Sequence, residues 1–221
     1  MEDSVFFSLR LSLQVASIAT FFVVIAGISI AYLLSRGDFI GKDMIDIVLT
    51  LPLVLPPTVT GYYLVIIFGR KGLIGSLLYE WTGLGIMFTW QAAVLASFVV
   101  SLPLMIKTAR AAMESVDKNL INASYTLGHS RLETAVRVIM PLSARGIIAG
   151  AVLSFARAMG EFGATLMIAG NIPGKTDTMP LAIYSLASSG EWTGANMMVL
   201  LLTIFSGFFL YAANRLGRKV F

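Results

Sequence analysis

Apolar runs of about twenty residues, separated by short polar stretches, organise this chain from end to end. Crossing roughly 30 Å of hydrocarbon at about 1.5 Å per residue takes about 20 such residues in a helix. Five segments meet that requirement: Leu11–Leu34, Ile45–Phe68, Leu84–Ile106, Ile147–Ala169 and Asn196–Asn214. A further apolar patch, Thr178–Ser189, reaches only about 18 Å as a helix, so it predicts a short extracytoplasmic helix, interfacial or re-entrant, and not a span. The first segment is too long for a signal peptide and has no small-residue cleavage site at its end. The pattern predicts an all-α polytopic membrane protein with about five transmembrane helices in a single transmembrane domain, residues 1–221.

One long polar interval, Lys107–Arg145, interrupts the series. Asp117 is placed to cap a helix running to about Leu127, and Gly128 to end it in the left-handed conformation. Ser130 then opens a second helix, with Glu133 at the third position completing a capping box, and Pro141 marks where that helix stops or re-enters the membrane. Local chemistry alone therefore gives a two-helix hairpin around a glycine corner.

Composition agrees: 57% of 221 residues are hydrophobic, 13% charged, and the mean hydropathy is +0.84. That points to a bilayer as the solvent. The chain has no cysteine and one histidine, His129, which removes disulfides, thiolate metal sites and multi-histidine cages. Of the net +4, the 107–145 interval carries +3. Its basic residues flank lipid-length segments, so the positive-inside rule accounts for them better than nucleic-acid binding does. That rule puts the hairpin in the cytosol together with the tail bearing Arg215, Arg218 and Lys219, and so puts the N-terminus outside. The early loops, with Arg36 and Lys42 in one and Arg70 and Lys71 in the other, balance and do not decide.

Two spans carry unusual chemistry. The second contains Pro52, Pro56 and Pro57. Each proline removes a backbone donor and kinks a helix, which is tolerated where neighbours or a water-lined cavity satisfy the freed carbonyls. Either this is a bent packing helix, or the kink shapes a pathway with Thr58 and Thr60 beside it. The fourth contains Arg157 and Glu161, whose i, i+4 spacing puts both on one helix face where they can neutralise each other. A charge there costs on the order of 3 kcal/mol and requires a partner. Either the two form an ion pair that fixes packing, or they serve a polar path through the bundle, with Glu161 offsetting the positive potential of Arg157. Gly146, Gly150 and Ser154 recur every four residues and predict close helix–helix contact. Trp81, Trp90 and Trp192 read as interfacial anchors.

The hairpin residues Asn122-Ala123-Ser124, Leu127-Gly128, Val138, Met140 and Pro141 resemble the coupling loop of bacterial binding-protein-dependent ABC importer permeases. Asn122 stands where that family usually has Glu, and Val138 and Met140 replace Ile and Leu. The resemblance covers nearly the whole chain. Leu51-Pro-Leu-Val-Leu-Pro-Pro-Thr-Val-Thr-Gly61, Gly69-Arg-Lys-Gly-Leu-Ile-Gly75 and Gly170-Asn-Ile-Pro-Gly174 resemble the permeases of molybdate or tungstate importers. Phe155-Ala-Arg-Ala-Met-Gly-Glu-Phe-Gly-Ala-Thr165 has a core shared with sulfate permeases, which widens the alternatives to tetrahedral oxyanions.

That resemblance implies a non-enzymatic permease subunit, without a bound cofactor, whose hairpin docks on ATPase subunits that hold the ATP. It also implies an extracytoplasmic oxyanion-binding protein. Five helices hardly enclose a gated path, so a homodimer is expected, with the path on its two-fold axis. Under this reading Asn122, Ala123, Ser124, Leu127, Gly128, Val138 and Pro141 are coupling residues, and Thr58, Thr60, Arg157, Glu161 and Thr165 lie along the path. Gly170-Asn-Ile-Pro-Gly-Lys-Thr176 imitates a phosphate-binding loop but is one residue short and lacks the strand–helix setting. An intramembrane enzyme would need a nucleophile–base or paired-carboxylate set that the spans do not supply. A membrane scaffold without transport is the other alternative.

Overall fold

The computed structural model describes residues 2–219 in backbone and 4–211 in side chain. The tail residues Arg215, Arg218 and Lys219, used above for orientation, have side chains outside the described set. Three helices are long and apolar enough to cross a membrane unbroken: α1 (Glu2–Arg36), α5 (Trp90–Glu114) and α12 (Trp192–Lys219). Two more crossings exist only if each is built from a bent pair of helices.

The first bent pair replaces the single expected span Ile45–Phe68. α2 (Lys42–Val54) and α3 (Pro57–Phe68) meet at an angle of 119°. The cause is local. A proline disfavours helical backbone in the residue before it, so Pro56 and Pro57 force Leu55 and Pro56 in turn into extended conformation, with ψ of 143° and 137°. Pro52 is absorbed inside α2 without ending it. The short helix α4 (Gly75–Thr82) follows, and α5 starts at Trp90, later than the expected Leu84, with Thr89 accepting a hydrogen bond from the Ala92 N–H at 3.3 Å.

The hairpin forms as its caps dictate. α6 (Lys118–Thr126) opens where the Asp117 carboxylate accepts from the Asn119 N–H at 2.8 Å, and Gly128 turns the chain with φ of 86°. α7 (Arg131–Thr134) opens on the Ser130–Glu133 capping box and runs through a π-helical turn, Ala135–Ile139, into α8 (Met140–Leu142). That helix ends at Leu142, one residue past Pro141 as expected, and the chain bends by 72° into α9 (Ala144–Met159).

The second interruption replaces the continuous span expected over Ile147–Ala169. α9 ends at Met159, and α10 (Gly163–Ala169) begins after Gly160, Glu161 and Phe162. α11 (Met179–Ser188) is the short helix expected near Thr178–Ser189.

α5 is the central post. Ala92, Ala93, Ala96, Leu64, Ala164 and Ile168 form the core at one end, and Val23, Ala31, Met105, Ala109 and Met113 the core at the other, where Val116, Ile121 and Ile139 tie in the hairpin. The small face of α9 lies on α5. A Cβ on Gly146 would overlap the Ala112 side chain, Gly150 faces Met105 and Thr108, and the Ser154 hydroxyl donates to the Ser101 carbonyl at 3.3 Å. At the end away from the hairpin, Ser12 on α1 accepts from the Met179 N–H at 2.7 Å, and the buried Asp177 carboxylate accepts from Ser8 at 3.3 Å. Burial holds the Asp177 carboxyl above the usual carboxylate range.

Replacing Gly146 with Val is expected to push α5 and α9 apart and cost about 1–3 kcal/mol, the usual price of overpacking. Gly207→Ala, in α12 with open space around it, should be near neutral. Thermal denaturation of the two purified variants in one detergent checks the difference.

Candidate functional site: two broken helices and a polar hairpin

The two interruptions touch. At Gly163, the first residue of α10, an added Cβ would sit 2.9 Å from the Pro57 Cβ and 3.2 Å from the Thr58 nitrogen. At Gly61, in α3, it would sit 2.7 Å from the Met167 Cβ and 2.9 Å from the Ala164 Cα. Only hydrogen at those two positions lets α3 and α10 lie this close. The sequence motifs Pro-Pro-Thr58 and Gly-Glu161-Phe-Gly163 therefore form one junction.

Glu161 fixes the geometry there. It lies past the end of α9, not on its continuous face as the i, i+4 spacing suggested, and only 1% of its side chain is exposed. One oxygen, Oε1, accepts from the Ala164 N–H at 2.8 Å and so caps α10. The other, Oε2, stands 2.7 Å from Arg157 Nη1. A buried carboxylate needs such compensation, because without it desolvation would cost several kcal/mol. Arg157 keeps 30% of its side chain exposed, so its charge is only partly screened from the surroundings of the bundle. Thr58 is exposed at the first turn of α3. Thr60 and Thr165 are buried, and the Thr60 hydroxyl has no hydrogen-bond partner. Of the five expected path residues, Thr58 sits at the helix contact, Arg157 and Glu161 form the ion pair beside it, and Thr60 and Thr165 lie within the packed helices.

The hairpin presents a second feature. Ala123, Ser124, Leu127, Val138 and Pro141 line a groove of about 400 Å³, together with Leu120 and Arg137. Ser124 also faces inward, its hydroxyl 2.9 Å from that of Thr134, which bonds α6 to α7. Asn122 and Gly128 are exposed outside the groove, and Leu127 leaves 78% of its surface bare. In the capping box Glu133 accepts from the Ser130 N–H at 2.8 Å, which holds its carboxyl below the usual range.

One cluster was not anticipated. Asp46, within an expected span, receives Lys107 Nζ at 2.8 Å and Arg110 Nη1 at 3.1 Å. The signal in the sequence was a charge inside an apolar run opposite unspent cations near residue 107. The phosphate-loop look-alike uses its own hydroxyl: Thr176 accepts from the Ile172 N–H at 2.9 Å and donates to the Gly170 carbonyl at 3.3 Å.

Helices broken inside an apolar bundle, with a charged pair at the break, define a polytopic membrane protein with a polar junction at its centre. The comparisons agree. Residues 23–221 match the family described as "Binding-protein-dependent transport system inner membrane component", and the chain belongs to that family, a multi-pass inner-membrane protein of the ABC permease class. It is 45% identical over 206 residues to the "Molybdenum transport system permease protein ModB" of Escherichia coli (strain K12), covering 92% of this chain and 90% of that one. It is 34% identical over 203 residues to the "Probable sulfate transport system permease protein cysT" of Chlorokybus atmophyticus, covering 92% and 71%. Among solved structures, an inward-facing MetNI methionine ABC transporter chain superposes with a TM-score of 0.75 at 20% identity, covering 97% of this chain and 94% of that one, a likeness of fold.

Two outcomes follow. Glu161→Ala strips the cap from α10 and leaves Arg157 unpaired, so a loss of roughly 2–4 kcal/mol is expected, whereas Glu161→Gln keeps the acceptor for Ala164 and should lose less. Denaturation midpoints check the order. For Glu133, a depressed folded pKa means its contribution is complete above the ordinary carboxylate value and lost as pH falls through the lower folded one. The protection factor of the Ser130 N–H, its exchange rate compared with the intrinsic rate at the same pH, should therefore fall on acidification in the native chain and be low at all pH values in Glu133→Ala.

Proposed function

We propose that this chain is the transmembrane permease subunit of an ABC importer for molybdate or tungstate. The observation that carries the reading is the junction of the two broken helices, with Arg157 partly exposed beside it. A dianion crossing a bilayer needs positive potential without a trap. A helix N-terminus supplies partial positive charge, and α3 begins at this junction. Arg157 adds a full charge that Glu161 offsets, so the site attracts the anion and still lets it go. Thr58 lends an exposed hydroxyl at the same level. The order of sequence similarity, molybdenum relative above sulfate relative, favours the molybdate class.

The energy source is a pair of ATPase subunits, to which the hairpin groove offers a docking surface. Leu127 and Leu142, which line it, are bare apolar groups, and their burial against a partner would contribute on the order of 1.5–3 kcal/mol each. Two copies of this chain, with the path on their two-fold axis, and an extracytoplasmic oxyanion-binding protein complete the assembly. The hairpin faces the cytosol and the N-terminus lies outside, because the basic excess sits in the hairpin. Closure of the ATPase pair moves the hairpins and shifts the bundle between inward- and outward-open states.

Reconstitution with the ATPase subunits and binding protein tests this. ATP-dependent accumulation of molybdate or tungstate in vesicles is expected, with Arg157→Gln cutting uptake at least tenfold, about 1.4 kcal/mol in barrier, in an assembled complex. An intact complex without uptake would support a scaffold role and overturn the reading.

A further inference from the structure

α2 buries none of its residues fully and lies against α5 along a half-buried face that includes Leu49 and Thr50, so its packing is thin. Its outward positions, including Met44, Ile47, Val48 and Val54, are apolar and suit lipid or another apolar surface. What joins it to the post of the bundle is Asp46. That carboxylate receives Lys107 Nζ on both oxygens, at 2.9 and 2.8 Å, and Arg110 Nη1 at 3.1 Å. Arg110 in turn holds Glu114 at 2.7 Å through Nε. Asp46 and Arg110 are only 21% and 22% exposed, which limits solvent screening of the pair.

The position of this network in the chain gives it a consequence. Glu114 is the last residue of α5, and Asp117, three residues on, caps the first hairpin helix. On the other side, α2 leads through Leu55 and Pro56 directly to the first turn of α3, where Thr58 meets Gly163. Leu55 and Pro56 form a two-residue link with few soft torsions, because proline fixes its own φ and restricts the residue before it, so a displacement of α2 reaches α3.

We propose that Asp46 is a positioning residue for transport: its bridge to Lys107 and Arg110 makes α2 move with the base of the hairpin and so carries hairpin displacement to the junction of broken helices. This rests on the permease reading above. A discrete ion-pair network between two rigid helices is the kind of physical link through which coupling energy passes. Removing it weakens the link without touching either the hairpin groove or the junction.

The test uses the complete complex in vesicles, with uptake of molybdate and ATP hydrolysis measured together. Asp46→Asn is expected to lower anion uptake per ATP hydrolysed roughly fivefold or more, the low end of typical coupling energies, while the complex assembles and ATP hydrolysis continues. Asp46→Glu should restore the ratio. Lys107→Gln combined with Arg110→Gln should give the same loss, and adding Asp46→Asn to them should give little more, because all three act through one link. A wild-type ratio in Asp46→Asn overturns the proposal. So does a proportional fall of uptake and hydrolysis, or loss of the complex, in both the Asn variant and the double Gln variant, which would make the network a packing element alone. If the wild-type complex itself imports no anion, the permease reading fails instead, and the two failures are distinguished by that control.

Discussion

A carboxylate withdrawn from water must be answered by charge and by donors, and Glu161 is where this fold meets that demand. Its two oxygens face two different needs. One satisfies an orphan N–H at the start of α10, and the other is answered by Arg157. Without the first, the Ala164 N–H would be left unpaired in an apolar bundle, where such a group costs several kcal/mol. Without the second, the carboxylate itself could not be buried. The break in the fourth crossing is therefore held by a side chain, whereas the break between α2 and α3 is held by the covalent geometry of two prolines.

These two devices meet because glycines let them. Gly61 and Gly163 bring α3 and α10 into near backbone contact, so each interruption borders the other. The remainder of the bundle is arranged to keep that contact in register. α5 packs on α9 through its alanines and the small residues Gly146, Gly150 and Ser154, and α1 is stitched at its far end by Ser8 and Ser12. At the other end the hairpin is rooted by Val116, Ile121 and Ile139 in the α1–α5 core. A permease whose hairpin were loosely tethered could not pass force upward. Here the hairpin is part of the core.

Much of this was written locally in the sequence. The caps at Asp117, Ser130 and Glu133 and the turn at Gly128 follow from short-range donor and acceptor chemistry, and the structure forms each of them. The small face of α9 was legible from its four-residue repeat. The interruption at Gly160–Phe162 was not, because three residues with apolar neighbours on both sides do not disturb a hydropathy profile, and the spacing of Arg157 and Glu161 mimics an unbroken helix. The prolines announced a kink but not a turn of 119°. The Asp46 network leaves no local signature, because its partners Lys107 and Arg110 are about sixty residues away and pairing at that distance is set by tertiary packing.

The account stands or falls on whether the junction of broken helices is wetted by the transport path. The chain has no native cysteine, so Thr58→Cys alone, labelled in the assembled complex by a membrane-impermeant thiol reagent, reports directly. Reactivity from one side of the membrane without nucleotide, and from the opposite side with a non-hydrolysable ATP analogue, is expected if the junction lies on the path. A thiol at position 58 that stays unreactive from both sides in both states would contradict it.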